Sequence, residues 1–147
     1  MAEIEIYRAD DRHYDQMYVI HKDCFLDEAM NEGLFMEEVE GESRVYFVAL
    51  DGENVVGYAG AWNTGTDYSI ISVAVDPKYR KNGIAIRLLN RLVQDAKKKE
   101  IYSVSLEVSE KNIPAINLYK KVGFITTNVR KSYYKNNTSA YIMWLYL

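Results

Sequence analysis

The most basic loop of an otherwise acidic chain is Arg80-Lys81-Asn82-Gly83-Ile84-Ala85-Ile86, placed where the apolar run Val73-Ala74-Val75 gives way to helical spacing. The first turn of a helix leaves up to four backbone N–H groups without intrahelical partners. Together with the helix dipole, those donors suit phosphate oxygens. Gly83 lets backbone approach a ligand closely, Ala85 keeps the helix start uncrowded, and Arg80 and Lys81 add positive charge. A plain glycine turn with solvated basic side chains fits the same residues, and the loop alone leaves both readings open. Neither GxxxxGK[ST] nor GxGxxG occurs in it, so it is not a Walker loop or a dinucleotide fingerprint. Downstream, Val104, Leu106 and Val108 share one face of a strand, while Ser103, Ser105, Glu107 and Ser109 share the other. Glu107 is therefore either part of an ordinary polar strand face or a carboxylate set to move a proton. Tyr119 follows in a helical stretch, but one tyrosine among 13 says little by itself.

The chain that must position these groups has 147 residues, 48% hydrophobic and 27% charged, which suits one globular domain over residues 1–147. A net charge of −3 and a pI of about 5.4 argue against a general nucleic-acid binder. The run Lys97 to Lys99 reads as a solvated helix end, where cations complement the dipole. Cys24 is the single cysteine, so no internal disulfide can form and a reducing, cytoplasmic setting is expected. Its expected role is that of a small buried hydrophobe. The opening residues lack a signal-peptide pattern, and no apolar run approaches the roughly 20 residues of a membrane span.

Alternation of Ile4 and Ile6 marks a first strand, after which Asp10 or Asp11 is expected to cap a helix containing Met17, Val19, Ile20 and Phe25. The acidic region Leu26 to Ser43, interrupted by Gly33 and Gly41, reads as a short helix with loops. Val45 to Leu50, the turn at Asp51-Gly52, and Val55 to Trp62 form a hairpin, which Tyr68 to Val75 extends. Ala85, Leu88, Leu89, Leu92, Val93 and Ala96 trace an amphipathic helix from Ile84. Tyr102 to Ser109 is a strand, Asn112 and Pro114 open a helix that stops at Gly123, and the chain ends in an apolar strand. The predicted order is β-α-α-β-β-β-α-β-α-β-β, a mixed sheet with helices packed on it.

The spacing Arg80-x-x-Gly83-x-Ala85, followed by "SLEVSEKNIPAINLYKKVGF" (Ser105 to Phe124) and "RKSYY" (Arg130 to Tyr134), resembles the GNAT superfamily of N-acetyltransferases. Within it, the likeness is to the RimI type and the related catalytic subunits that acetylate protein N-termini, over roughly Val45 to Leu147. The resemblance implies an α/β (α+β) fold, with a mostly antiparallel sheet, a splayed central strand pair and helices on both faces. It implies acetyl-CoA as cofactor and no metal. Val73, Ala74 and Val75 would pair with the pantetheine arm, and Arg80, Lys81, Asn82, Gly83, Ile84, Ala85 and Ile86 would surround the pyrophosphate. Asn112 would also touch the cofactor, although as a helix cap it needs no ligand to explain it. In the same scheme Glu107 is the general base, Tyr119 protonates the thiolate, and a backbone N–H near Val75 polarises the thioester carbonyl. Tyr133 and Tyr134 would contact the acceptor's N-terminal backbone.

Departures from the family pattern cluster on the acceptor side. Ser109 replaces an arginine, Asn136, Asn137, Thr138 and Ser139 replace an acidic turn, and a Pro-Trp pair is missing near Phe25. Three readings stand: a protein N-terminal acetyltransferase, a small-molecule amine acetyltransferase, and a non-catalytic acyl-CoA-binding module. Acidic residues between Asp23 and Glu42 would attract a cationic acceptor, which serves the second reading. Retention of Glu107 and Tyr119 opposes the third.

Overall fold

The structure, a computed structural model, describes residues 3–134 and 137–147. Asn136 lies outside the described residues. The chain runs β1 (Ile4–Arg8), α1 (Tyr14–Phe25), α2 (Glu32–Glu40), β2 (Arg44–Asp51), β3 (Asn54–Asn63) and β4 (Asp67–Val75). It continues through α3 (Ile84–Lys98), β5 (Ser103–Ser109), α4 (Ile113–Val122), β6 (Ile125–Arg130) and β7 (Ala140–Tyr146). This is the order expected from the sequence, with short 3₁₀ turns added at Leu26–Glu28 and Pro77–Tyr79. Among the described residues no helix is long and apolar enough to cross a membrane.

The seven strands lie in the order β1-β2-β3-β4-β5-β7-β6, and the β4–β5 pair alone is parallel. Strand alternation builds two cores, one on each face. On one, Val45, Phe47 and Ala49 of β2 meet Leu88, Leu92 and Ala96 of α3. On the other, Tyr46 and Val48 of β2 meet Met17 and Ile20 of α1 and Phe35 and Val39 of α2.

Two local expectations change. Helix α1 starts at Tyr14, with His13 at its cap and no side-chain capping bond. Asp10 turns the preceding chain instead, its carboxylate accepting from Arg12 N at 3.0 Å and its carbonyl from His13 N at 2.9 Å. Gly33 does not interrupt the acidic region, because Asn31 caps α2 by accepting from Leu34 N at 2.9 Å and the helix runs through it.

The feature that positions the site is the incomplete pairing of β4 with β5. They are joined at Asp67↔Ser103, Tyr68↔Val104 and Ser69↔Ser105, and then part. At the joined end, the Asp67 carboxylate accepts from Ser103 Oγ at 2.8 Å and Ser105 Oγ at 2.7 Å. The Tyr68 hydroxyl donates to Asp95 of α3 at 2.6 Å, pinning the same end to the helix. Beyond it, the register with β3 passes from Ala61↔Ile70 to Gly60↔Ser72, so Ile71 is an extra residue in β4. Such a bulge bends its strand and increases its twist, which carries the rest of β4 away from β5.

Opposite the bulge, Tyr46 of β2 lays its ring across Gly60 of β3, where an added Cβ would collide with the ring carbons. Replacing Gly60 with alanine is expected to cost about 1–3 kcal/mol through overpacking, read as a lower urea midpoint at unchanged slope.

Candidate functional site

Where β4 and β5 part, a cleft of about 1750 Å³ opens, bounded by the end of α1, the starts of α3 and α4, and Tyr133 and Tyr134. Every site residue expected from the sequence lines it except Asn82. Asn82 braces the loop from within, its side-chain amide donating to Tyr79 O at 3.0 Å and Arg80 O at 3.1 Å.

The strand residues divide by parity. Asp76 N donates to Val56 O at 2.8 Å, and Val75 stands opposite Gly57. Alternation along an antiparallel ladder therefore turns the N–H and C=O of Ala74 toward β3, and those of Val73 and Val75 toward the cleft. Ala74 is buried with the α1–α2 core, leaving the flanking valines to offer main-chain groups. One of these is engaged: Val75 O accepts from Arg80 Nε at 3.1 Å and from Cys24 Sγ at 3.6 Å. Arg80 Nη2 also donates to Cys24 Sγ at 3.4 Å, so the guanidinium lies folded on the end of β4. Cys24 is half-buried on the cleft wall, where the sequence reading expected a core position.

The basic loop takes two left-handed residues, Lys81 at φ 65° and Gly83 at φ 74°. A Cβ on Gly83 would meet nothing within 4 Å, so conformation rather than space makes glycine the suited residue. Asn31 caps α2 and Asn112 caps α4, accepting from Ala115 N at 3.3 Å, whereas Gly83 gives α3 no side-chain cap. The amides of Ile84, Ala85 and Ile86 are thus left facing the cleft mouth beside Lys81, a donor set that fits phosphate oxygens.

Across the cleft, Glu107 is exposed on β5 and forms an ion pair with Arg130 Nη2 at 3.4 Å. The guanidinium of Arg130 also lies 5.3 Å from the centre of the Tyr133 ring, which packs edge-on against Tyr134 at 5.1 Å. Burial, then the charge of Glu107, raises the Tyr134 hydroxyl above its ordinary pKa. Arg130 had no role in the sequence reading. It stands in the quoted "RKSYY", but only the β5-β7-β6 order brings it to the glutamate. A smaller cavity of about 490 Å³, lined by Ser69, Ser105, Asn128 and Trp144, also reaches Glu107 and Arg130.

Tyr119 sits deeper on the wall, edge-on to Phe124 at 5.9 Å, and burial pushes its phenol up to about 12. It stays protonated through the neutral range and can donate. Among the described residues no three His, Cys, Asp or Glu side chains converge as metal ligands.

The acetyltransferase (GNAT) family model matches residues 7–124. A protein of Bacillus subtilis (strain 168), provisionally named a ribosomal protein bS18-alanine N-acetyltransferase, is 33% identical over 132 residues, covering 89% of this chain and 87% of its own. The N-alpha-acetyltransferase RimI of Mycobacterium tuberculosis is 35% identical over 114 residues, 74% of this chain and 70% of that protein. In fold, the crystal structure of the ribosomal-protein-S18-alanine N-acetyltransferase from Escherichia coli is similar at a TM-score of 0.89. Its identity is 24%, with 98% of this chain and 94% of that chain covered.

The left-handed loop gives a stability test. Gly83→Ala is expected to lose about 1–2 kcal/mol in a urea titration, while Gly83→Asn, which tolerates that conformation, loses less.

Proposed function

The chain belongs to the acetyltransferase (GNAT) family, and from that membership we propose that it moves the acetyl group of acetyl-CoA to the N-terminal α-amino group of a protein. The observation that carries this reading is the convergence on one cleft of an uncapped helix start, strand main chain without a strand partner, an exposed carboxylate and a half-buried phenol. Bound there, acetyl-CoA would supply a thioester whose acetyl carbon is open to attack by an amine and whose sulfur is the leaving group.

The chain's own residues divide the remaining work. Lys81 and the amides of Gly83 to Ile86 would hold the pyrophosphate, and the main chain of Val73 and Val75 would orient the pantetheine arm. Arg80 must then leave Val75 O, which frees its charge for the phosphates. The Val75 N–H, turned into the cleft, would donate to an oxygen on which negative charge develops. Glu107 takes a proton from the acceptor's ammonium group, whose pKa of about 7.7–8.0 makes a weak base sufficient near neutrality. Tyr119 supplies a proton from Oη, and burial keeps that hydrogen in place until it is needed. Direct transfer follows, with no covalent enzyme species.

Support for a protein acceptor comes from the mouth of the cleft, where Tyr133 and Tyr134 stand beside Glu107, while the nearby Asp27 and Glu28 would attract any cationic acceptor. Aromatic faces and carboxylates suit an ammonium group on an extended chain. The names of the two sequence relatives point the same way. A cytoplasmic place, where new protein N-termini arise, suits this reading.

Three measurements test it. An acceptor screen with acetyl-CoA should show Ala- or Ser-starting peptides turned over faster than polyamines, and the reverse ranking overturns the protein acceptor. Glu107→Gln should lower kcat by about 10²–10⁴ while isothermal titration shows acetyl-CoA affinity nearly unchanged. Gly83→Glu, which sets a carboxylate at the helix start, should abolish acetyl-CoA binding in the same titration.

A further inference from the structure

We propose that His21 is a positioning residue for the acceptor, tying the segment between α1 and α2 to the bulge in β4 through contacts that its neutral ring alone can make together. Its meaning for acceptor binding rests on the acetyl transfer proposed above, but its hydrogen bonds do not.

His21, 4% exposed, lies near the end of α1. Its Nε2 accepts from Met30 N at 2.9 Å, so that nitrogen carries no hydrogen. The hydrogen is on Nδ1, 2.8 Å from Tyr58 Oη of β3. Tyr58 Oη in turn lies 2.8 Å from Ser72 Oγ, next to the bulged Ile71. Ser72 and Ile71 are on the cleft wall. One line of hydrogen bonds thus runs from the acceptor-side segment, through the α1–α2 core, to the place where β4 leaves β5.

That segment needs such an anchor. It carries Asp27 and Glu28 on the cleft wall, yet its 3₁₀ turn buries no residue, and Leu26 is 73% exposed with φ at 51°. Apolar packing reaches it only at its far end, where half-buried Met30 lies against the α1–α2 core, and the bond from Met30 N to the imidazole fixes the main chain at that point. The ring itself is held by Phe25 at 4.9 Å and Phe35 at 4.8 Å.

Protonation would undo the arrangement, because Nε2–H and Met30 N–H would then confront each other as two donors. From β3 the ring faces Tyr58, kept in its protonated form by burial, and from α2 it faces the uncharged Phe35. On its own helix, Tyr18 stacks on the ring at 6.3 Å, Lys22 and Asp23 are exposed and Cys24 is half-buried. Burial lowers the His21 pKa below its ordinary value, so the ring is neutral near pH 7. The segment is held at neutral pH and released as pH falls through the shifted value.

Hydrogen exchange by mass spectrometry on the full chain, with a peptide covering residues 25–31, reads this without activity. Wild type is expected to lose protection as pH falls below the ordinary histidine range, after correction for intrinsic rates. His21→Gln, whose Oε1 can accept from Met30 N and does not titrate, should keep its protection. Equal losses in both proteins overturn the proposal. If that variant does not fold, nitrogen NMR of wild type replaces it, with the His21 titration expected to coincide with loss of Met30 amide protection and independent midpoints overturning the idea. Steady-state kinetics then read the link to the site. Tyr58→Phe keeps the ring but cuts the line, and should raise KM for an Ala-starting peptide about fivefold with KM for acetyl-CoA unchanged. A parallel rise in both constants marks a merely structural role and overturns the positioning role. Absence of transfer to any peptide, with exchange behaving as expected, instead counts against the acceptor reading.

Discussion

The site depends on two parallel strands being joined at one end and apart at the other. A pair of strands normally satisfies its main-chain donors and acceptors along its whole length. Here the Asp67 carboxylate clasps Ser103 and Ser105, Tyr68 anchors the same end to α3, and the ladder stops after Ser69 and Ser105. The extra residue at Ile71 then bends β4 away. What remains is main chain without a strand partner, lining a cleft wide enough for a long, flexible ligand. Arg80 and Cys24 partly satisfy Val75 O in place of a strand partner.

The helix after β4 extends the same theme of donors left unpaired. Asparagine caps α2 and α4, whereas α3 begins at a left-handed glycine whose side chain can cap nothing. Lys81 accepts an unfavourable backbone conformation beside it, and Asn82 spends its side chain holding the loop in that shape. Backbone strain of this kind clusters at active sites and ligand clamps.

The two ionisable side chains proposed to move protons stand in different environments. Glu107 sits exposed beside a guanidinium, while Tyr119 is half-buried against the core and its raised pKa keeps its hydrogen. The two environments differ in the direction that the proposed proton acceptor and proton donor each require.

The elements were legible because their signals are local. The hairpin at Asp51-Gly52, the spacing from Ile84 to Ala96 and the stop at Gly123 each depend on a few neighbouring residues, and the structure keeps all of them. The loop at Gly83, Glu107 and Tyr119 were also marked in the sequence, because strand parity and motif spacing are properties of the chain alone. Several assignments needed the fold. Asp10 does not cap α1, since the turn it makes ends before the helix begins. Main-chain direction at Val73 and Val75 follows from pairing with β3. Arg130 reaches Glu107, and His21 reaches both Met30 and Tyr58, only because strands and helices far apart in the chain are stacked together. Sequence determined which groups were available and on which face each stood. Tertiary structure decided which of them meet, because contacts across a sheet order or a core depend on long-range packing that no local spacing encodes.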